Sequence, residues 1–172
     1  LIFGRSGGPH RDSIPTGTAV LSLLGDMTGA YEPVVAKDRS EFEAERLSDY
    51  DAVCFCNTTG AVFQETIDWK QFTALSEEER KRQKAESDRL TDDLLKFVRD
   101  GGGFVGIHAA TDCLRSSEAY LEMIRGRFWQ HPWNGNQTVT VRLERPHHAL
   151  LRGIFTSDEF RISDEIYQFR EP

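Results

Sequence analysis

Gly101-Gly102-Gly103-Phe104-Val105-Gly106-Ile107-His108-Ala109-Ala110-Thr111-Asp112-Cys113 is a glycine turn, a short apolar run, and then a histidine and an aspartate where that run ends. The run at 104–107 has the length and composition of a buried parallel strand, and the glycines ahead of it end a helix. In open α/β sheets ligands bind beyond the carboxyl ends of the strands, so His108 and Asp112 stand where a site would form. A plainer reading stays beside that one: His108 fills a strand-to-helix turn as a hydrogen-bonded histidine, and Asp112 caps the helix that follows.

Strand and helix signals alternate outward from this stretch. Residues 1–3, 31–36 and 51–56 read as strands, the last a continuous apolar run ending in Asn57-Thr58-Thr59-Gly60. Ala19, Val20, Leu23, Leu24 and Met27 recur at helical spacing, with Ser13 as N-cap and Pro15 in the first turn, which predicts a helix over 14–27. A short helix or turn is expected at 40–47. The charged stretch 69–89 carries Glu77, Glu78 and Glu79 ahead of Arg80, Lys81 and Arg82, as an exposed helix would, and Leu90, Leu94, Leu95, Phe97 and Val98 then resume an apolar stripe. A helix is predicted at 118–124, an aromatic-rich loop at 126–133, a half-exposed strand at 137–143 and a turn at Pro146-His147-His148. This alternation argues a parallel sheet covered by helices on both faces.

A chain of 172 residues suits one domain with a real core. The formal charge of −7 comes from acids spread along the chain, and the densest basic run, at 80–84, lies inside an acidic stretch, so no nucleic-acid footprint is present. No apolar run approaches bilayer-spanning length. Cys54 and Cys56 share one face of a strand without disulfide geometry, and Cys113 is the odd one, so free thiols are expected. Free thiols favour a cytoplasmic location, although a chain opening on Leu1 with no initiator methionine leaves room for a removed signal peptide. A doubly wound domain closes on a strand and a covering helix, and neither follows Pro172, so a C-terminal layer is expected to lie outside this sequence.

Polar loops at 7–12, 57–60 and 108–112, with the segment around His131, fall near predicted strand ends and would share one rim if their strands are neighbours. Gly106 and Ala110, each two residues from His108, give the small-polar-small layout of a nucleophile elbow. A histidine there can act as base, acid or ligand but cannot do the acyl chemistry of a serine or cysteine, and Cys113 lies too far along the chain to replace it. A divalent metal such as zinc could draw on His10, His108 and His131, with Asp112 and Glu165 as carboxylates, although no HExxH or CxxC spacing is present. The glycines of 4–8 form no P-loop. Trp129 and Trp133 suit the core, a subunit interface or a sugar-stacking wall equally well.

These segments resemble a known family. Residues 101–112, followed by Gly126-Arg127-Phe128, His131-Pro132-Trp133, Val139-Thr140-Val141 and Asp164-Glu165-Ile166-Tyr167-Gln168-Phe169, look like the ThuA-like, or trehalose utilization, family. His10, Ser13-Ile14-Pro15, Tyr50-Asp51-Ala52-Val53 and Asn57-Thr58-Thr59-Gly60 fit it too. The resemblance implies a flavodoxin-like three-layer α/β sandwich, mostly parallel, akin to class I glutamine amidotransferases, with His108 in the place of the amidotransferase cysteine. It implies one domain over 1–172, with a charged helical insertion around 69–89. Family members carry a histidine where Arg11 stands, with His10 one step earlier here, and they continue past the Tyr167-Gln168-Phe169 segment.

The function implied is carbohydrate processing in bacterial use of trehalose and related disaccharides. An enzyme of this kind would be a sugar-directed hydrolase, lyase or isomerase acting on a disaccharide or an oxidised sugar derivative, and not an active glutamine amidotransferase. His108 would serve as acid/base or metal ligand, Asp112 would orient it, and Glu165 would be the second carboxylate. Asn57, Thr58 and Arg5 would bind the substrate, with His131 and Trp129 lining the sugar pocket. The alternative is a non-catalytic sugar-binding or interaction module on the same scaffold. Either way the expected partner is a small carbohydrate, with no nucleic acid or membrane, and assembly as a homo-oligomer is compatible with this reading.

Overall fold

The computed structural model describes residues 1–171, which form two compact units, 1–127 with 171 and 128–170. The first is built on a parallel three-stranded sheet, β1 (Ile2–Phe3), β2 (Ala52–Cys56) and β3 (Gly103–Ile107), in the order β1-β2-β3. The segment expected as a strand at 31–36 stays outside the regular sheet. It bonds to β1 through a single parallel bridge, Ile2 to Val35, with Ile2 N–H donating to Val34 O (2.7 Å) and Ala36 N–H to Ile2 O (2.8 Å). Pro33, with no N–H and a fixed φ, works against a longer ladder there.

Val53 and Phe55, two apart on β2, point into one core with Phe3, Phe42, Phe63, Leu90, Leu94, Tyr120 and Leu121. Phe3, Phe42, Phe55 and Phe63 meet in pairs with ring centroids 4.6–6.1 Å apart, mostly tilted or edge-on as aromatic quadrupoles prefer. On the opposite parity, Cys56 meets the helix α1 (Ile14–Thr28).

That helix corrects two expectations. Ser13 makes no capping bond, because a turn of 3₁₀ helix (Arg11–Ser13) precedes α1 and the Ser13 hydroxyl donates to His10 O instead. The predicted apolar stripe is also not the packed face: Val20, Leu23, Leu24 and Met27 are exposed. Gly17 and Gly25, eight apart and so on one side, are turned inward instead. A Cβ on Gly17 would lie 2.5 Å from Cys56 Sγ, and one on Gly25 would lie 2.9 Å from the Tyr31 carbonyl oxygen. Close backbone approach, rather than apolar bulk, decides which face is packed.

The charged stretch forms two helices rather than one, α3 (Trp69–Ala74) and α4 (Glu77–Arg99), after the short α2 (Ala44–Leu47). Ser76 and Glu79 form a capping box at the start of α4, and these bonds hold the Glu79 carboxyl below the usual carboxylate range. Leu90, Leu94 and Leu95 enter the core as the apolar stripe predicts, and the buried face extends back into the charged half through Ser87 and Gln83. Gln83 accepts from Thr66 N–H (2.8 Å) and donates to the Thr66 hydroxyl (3.2 Å), tying the connection before α3 to α4. The helix α5 (Glu118–Ile124) is capped by Ser117, so Asp112 is not its cap.

The second unit is antiparallel in character, which departs from one mostly parallel sheet. The residues expected as an aromatic loop form a strand, β4 (Arg127–Trp133), which pairs with β7 (Ile166–Arg170). Strand β5 (Thr138–Arg142) pairs antiparallel with β6 (Glu159–Ser163), with Val139 opposite Ile162 and Val141 opposite Phe160. Among the described residues no helix is long and apolar enough to cross a membrane.

Replacing Gly25 with alanine tests the close-approach face. Alanine raises helix propensity by about 0.8–1.0 kcal/mol over glycine, yet Gly25→Ala is expected to lower the urea unfolding midpoint, because its methyl meets the Tyr31 backbone; an unchanged or higher midpoint would show that the helix is not pinned there.

Candidate functional site

The parallel pairing continues past the ends of the strands. Ser6 bridges Thr59 and Gly60 bridges Cys113, supported by Gly7 N–H to Thr59 O (3.3 Å), Thr59 N–H to Arg5 O (3.1 Å), Gly60 N–H to Asp112 O (3.1 Å) and Leu114 N–H to Gly60 O (3.0 Å). The loops after β1, β2 and β3 are therefore laced into one rim at the carboxyl edge, as expected if their strands were neighbours.

Three polar residues of that rim hold left-handed backbone without being glycine, His10 (φ 62°), Asn57 (φ 52°) and His108 (φ 48°), as does the apolar Leu114 (φ 49°). Such conformations cost roughly 1–3 kcal/mol each and persist only where the surroundings fix them; they gather at functional sites. His108 begins a 3₁₀ turn (His108–Asp112) directly after β3. A Cβ on Gly106 would come 3.1 Å from Ala110 Cβ, so the small residues on either side of His108 are needed for the elbow to close. The His10 and His108 rings meet edge to face with centroids 4.7 Å apart. His10, one step from the position the family resemblance would give it, is thus brought beside His108 by its left-handed turn.

Asn57 donates to the Ser13 hydroxyl (2.7 Å), and its Oδ1 is a buried acceptor with no partner among the described residues, as is Thr59 Oγ1. Buried polar atoms are rarely left so, and unpaired acceptors at a rim suit the hydroxyl donors of a ligand. Asp112 pairs with Arg115 (3.2 Å).

Two residues expected to touch substrate are engaged with the scaffold. Thr58 is wholly buried, and its hydroxyl donates to Cys113 Sγ (3.4 Å). Arg5 donates to the carbonyls of Val62 (2.7 Å), Gln64 (2.6 Å) and Glu65 (2.8 Å), clamping the loop after β2; burial and neighbouring Arg39 lower its pKa. Alternation along the chain could not reveal either role, since both depend on which carbonyls or thiols lie opposite in space.

His131, Trp129 and Glu165 lie in the second unit. His131 Nδ1 is 3.3 Å from Glu165 Oε1, and its ring stacks on Phe128 at 6.0 Å. A carboxylate on Nδ1 fixes the orientation of the ring. Trp129 is exposed and carries the Arg170 guanidinium over its ring at 4.3 Å, so one face of the indole is already covered.

All three cysteines are free, as expected. Cys113 is fully buried and its thiol is pushed up to about 12, chiefly by desolvation; Cys54 is pushed up to about 11 for the same reason. Neither can serve as a thiolate nucleophile at neutral pH.

A family model described as trehalose utilisation (ThuA) matches residues 69–172. Among solved structures, a ThuA-like protein from Bacteroides uniformis ATCC 8492 shares the fold, with a TM-score of 0.71 at 19% sequence identity, over 98% of this chain and 60% of that one. The chain thus spans about three fifths of that protein's length. No curated protein matches it significantly.

The thiols give a pH test. Because folding raises the pKa of Cys54 and Cys113, their contribution to stability is complete below about pH 9 and is lost as pH climbs from there towards about 11 and 12. Unfolding free energy should therefore fall above pH 9, and less steeply in Cys113→Ala than in the wild type; Cys113 should resist alkylation at pH 8 until the chain is unfolded. Rapid native alkylation of Cys113 would contradict its burial.

Proposed function

Since the chain belongs to the ThuA, or trehalose utilisation, family, we propose that it is a carbohydrate-processing protein that receives a disaccharide or an oxidised sugar derivative at the rim formed by His10, Asn57 and His108. The observation that carries this reading is the gathering of three left-handed, non-glycine polar residues at the carboxyl ends of neighbouring parallel strands, beside an acceptor with no partner. Sugars present many O–H donors, and Asn57 Oδ1 suits one of them. His108 acts as the acid/base group, where the elbow of an amidotransferase would carry a thiol, and Asp112 assists in orienting it. In the second unit, the His131–Glu165 pair is a base whose imidazole is steadied by a carboxylate, and Trp129 offers its uncovered face for stacking on a sugar ring.

The paired imidazoles of His10 and His108 also suit a divalent cation such as zinc, which accepts neutral histidine nitrogen and leaves positions open for oxygen ligands. A cation held there would polarise a sugar carbonyl or acidify a bound water. His131 is engaged with Glu165 in the second unit, so the imidazoles adjacent in the first unit are the primary pair.

Incubation with trehalose, related disaccharides and their keto derivatives, followed by NMR of the products, tests the proposal. His108→Ala is expected to lower turnover by about 10²–10⁴-fold, the usual weight of a general acid or base, and Asn57→Ala to raise KM. Unchanged turnover in His108→Ala would remove the assignment, whereas binding without turnover by the wild type would make this a sugar-binding module. Elemental analysis is expected to find stoichiometric zinc or a similar cation that His10→Ala and His108→Ala both lose; its absence from freshly purified and zinc-reconstituted protein alike would leave His108 as acid/base alone.

A further inference from the structure

We infer that Thr58, Cys113 and Tyr120 form a buried positioning set that holds His108 in its left-handed conformation at the tip of β3, an inference that rests on His108 being the working group of the rim. Two side chains, Tyr120 and Cys113, converge on one backbone carbonyl, and Thr58 backs the second of them. Tyr120, from α5, donates its hydroxyl to Ala110 O at 2.8 Å. Cys113 Sγ lies 3.2 Å from the same oxygen and 3.3 Å from the Tyr120 hydroxyl, and Thr58, from the loop after β2, donates to that sulfur at 3.4 Å. Ala110 is the central residue of the turn that His108 opens, and the Thr111 hydroxyl ties the turn back to His108 O at 2.9 Å.

Packing alone does not call for these polar groups. Tyr120 sits among Phe55 and Phe104, at ring distances of 6.2 and 6.0 Å, where a phenylalanine would fill the same space. The hydroxyl is therefore present for its polar partners, and a buried polar group is tolerated only when it is hydrogen-bonded. Thr58, Cys113 and Tyr120 are all fully buried, so their bonds face no competition from water. Burial also raises the pKa of the thiol and the phenol, so both stay protonated and able to donate. With Ala110 O held from beneath, the turn cannot relax to the right-handed backbone that His108 would otherwise prefer, and the His108 ring stays against His10.

Histidine ring NMR on the whole chain tests this without any sugar. Tyr120→Phe and Thr58→Val each remove one hydroxyl while conserving shape, and Phe104→Leu serves as a control that loosens the same packing but touches no polar partner. The two hydroxyl variants are expected to shift or broaden the ring signals of His108 and His10 while leaving those of His147 and His148 in place. Amide exchange at 111–113 should rise at least tenfold relative to Phe104→Leu. Wild-type ring signals for His108 and His10 in both hydroxyl variants would overturn the inference, and if Tyr120→Phe does not fold, Thr58→Val decides alone. An inactive rim with responsive ring signals would remove the sugar-processing reading and leave the positioning set standing.

Discussion

The structure depends on a parallel ladder that does not stop where its strands stop. In a parallel sheet every strand leaves at the same edge, so successive connections crowd together there and their backbone groups need partners. Here they bond to one another: the loop after β1 pairs with the loop after β2, and that loop pairs with the turn after β3. Lacing the loops leaves each chain very few residues in which to turn away. Left-handed backbone at His10, Asn57 and His108 supplies the turns. Glycine would do this at least cost; histidine and asparagine place imidazole and amide groups at the rim in exchange for strain.

Strain of that kind needs support, and much of the polar chemistry beneath the rim provides it. Arg5 reaches across to three carbonyls of the loop after β2, and Thr58 works from inside that loop towards Cys113. The rim is thus layered, with groups that can meet a ligand on the outside and groups of the same residue types spent on carbonyls and a thiol within. This explains why a buried cysteine sits so near the elbow without being a nucleophile. Its sulfur is desolvated and surrounded by hydroxyls, conditions that favour the neutral thiol.

Sequence reading found the elements where periodicity and punctuation were strong. The apolar run ending at Cys56, the glycine-flanked strand ending at Ile107, the helix Glu118–Ile124 and the alternating Val139 and Val141 all lie where they were expected. It failed where packing overrode pattern. The stripe Val20, Leu23, Leu24 and Met27 has helical spacing, yet the packed face of the helix carries glycines, since a missing side chain carries no hydropathy signal. The segment 127–133 contains Pro132 and scattered aromatics, which reads as a loop, but pairing with β7 makes it a strand.

The candidate site divides along the same line. The sequence by itself determined that His108 ends a strand, that small residues flank it, and that its family is the trehalose utilisation one, because these rest on local order along the chain. Only the tertiary structure decided that His10 lies against His108, that Glu165 pairs with His131, and that Arg5 and Thr58 face inward. Each of those outcomes joins residues far apart in sequence, and the choice between facing a ligand and facing a carbonyl is made by what the fold brings opposite, which no spacing along one chain encodes.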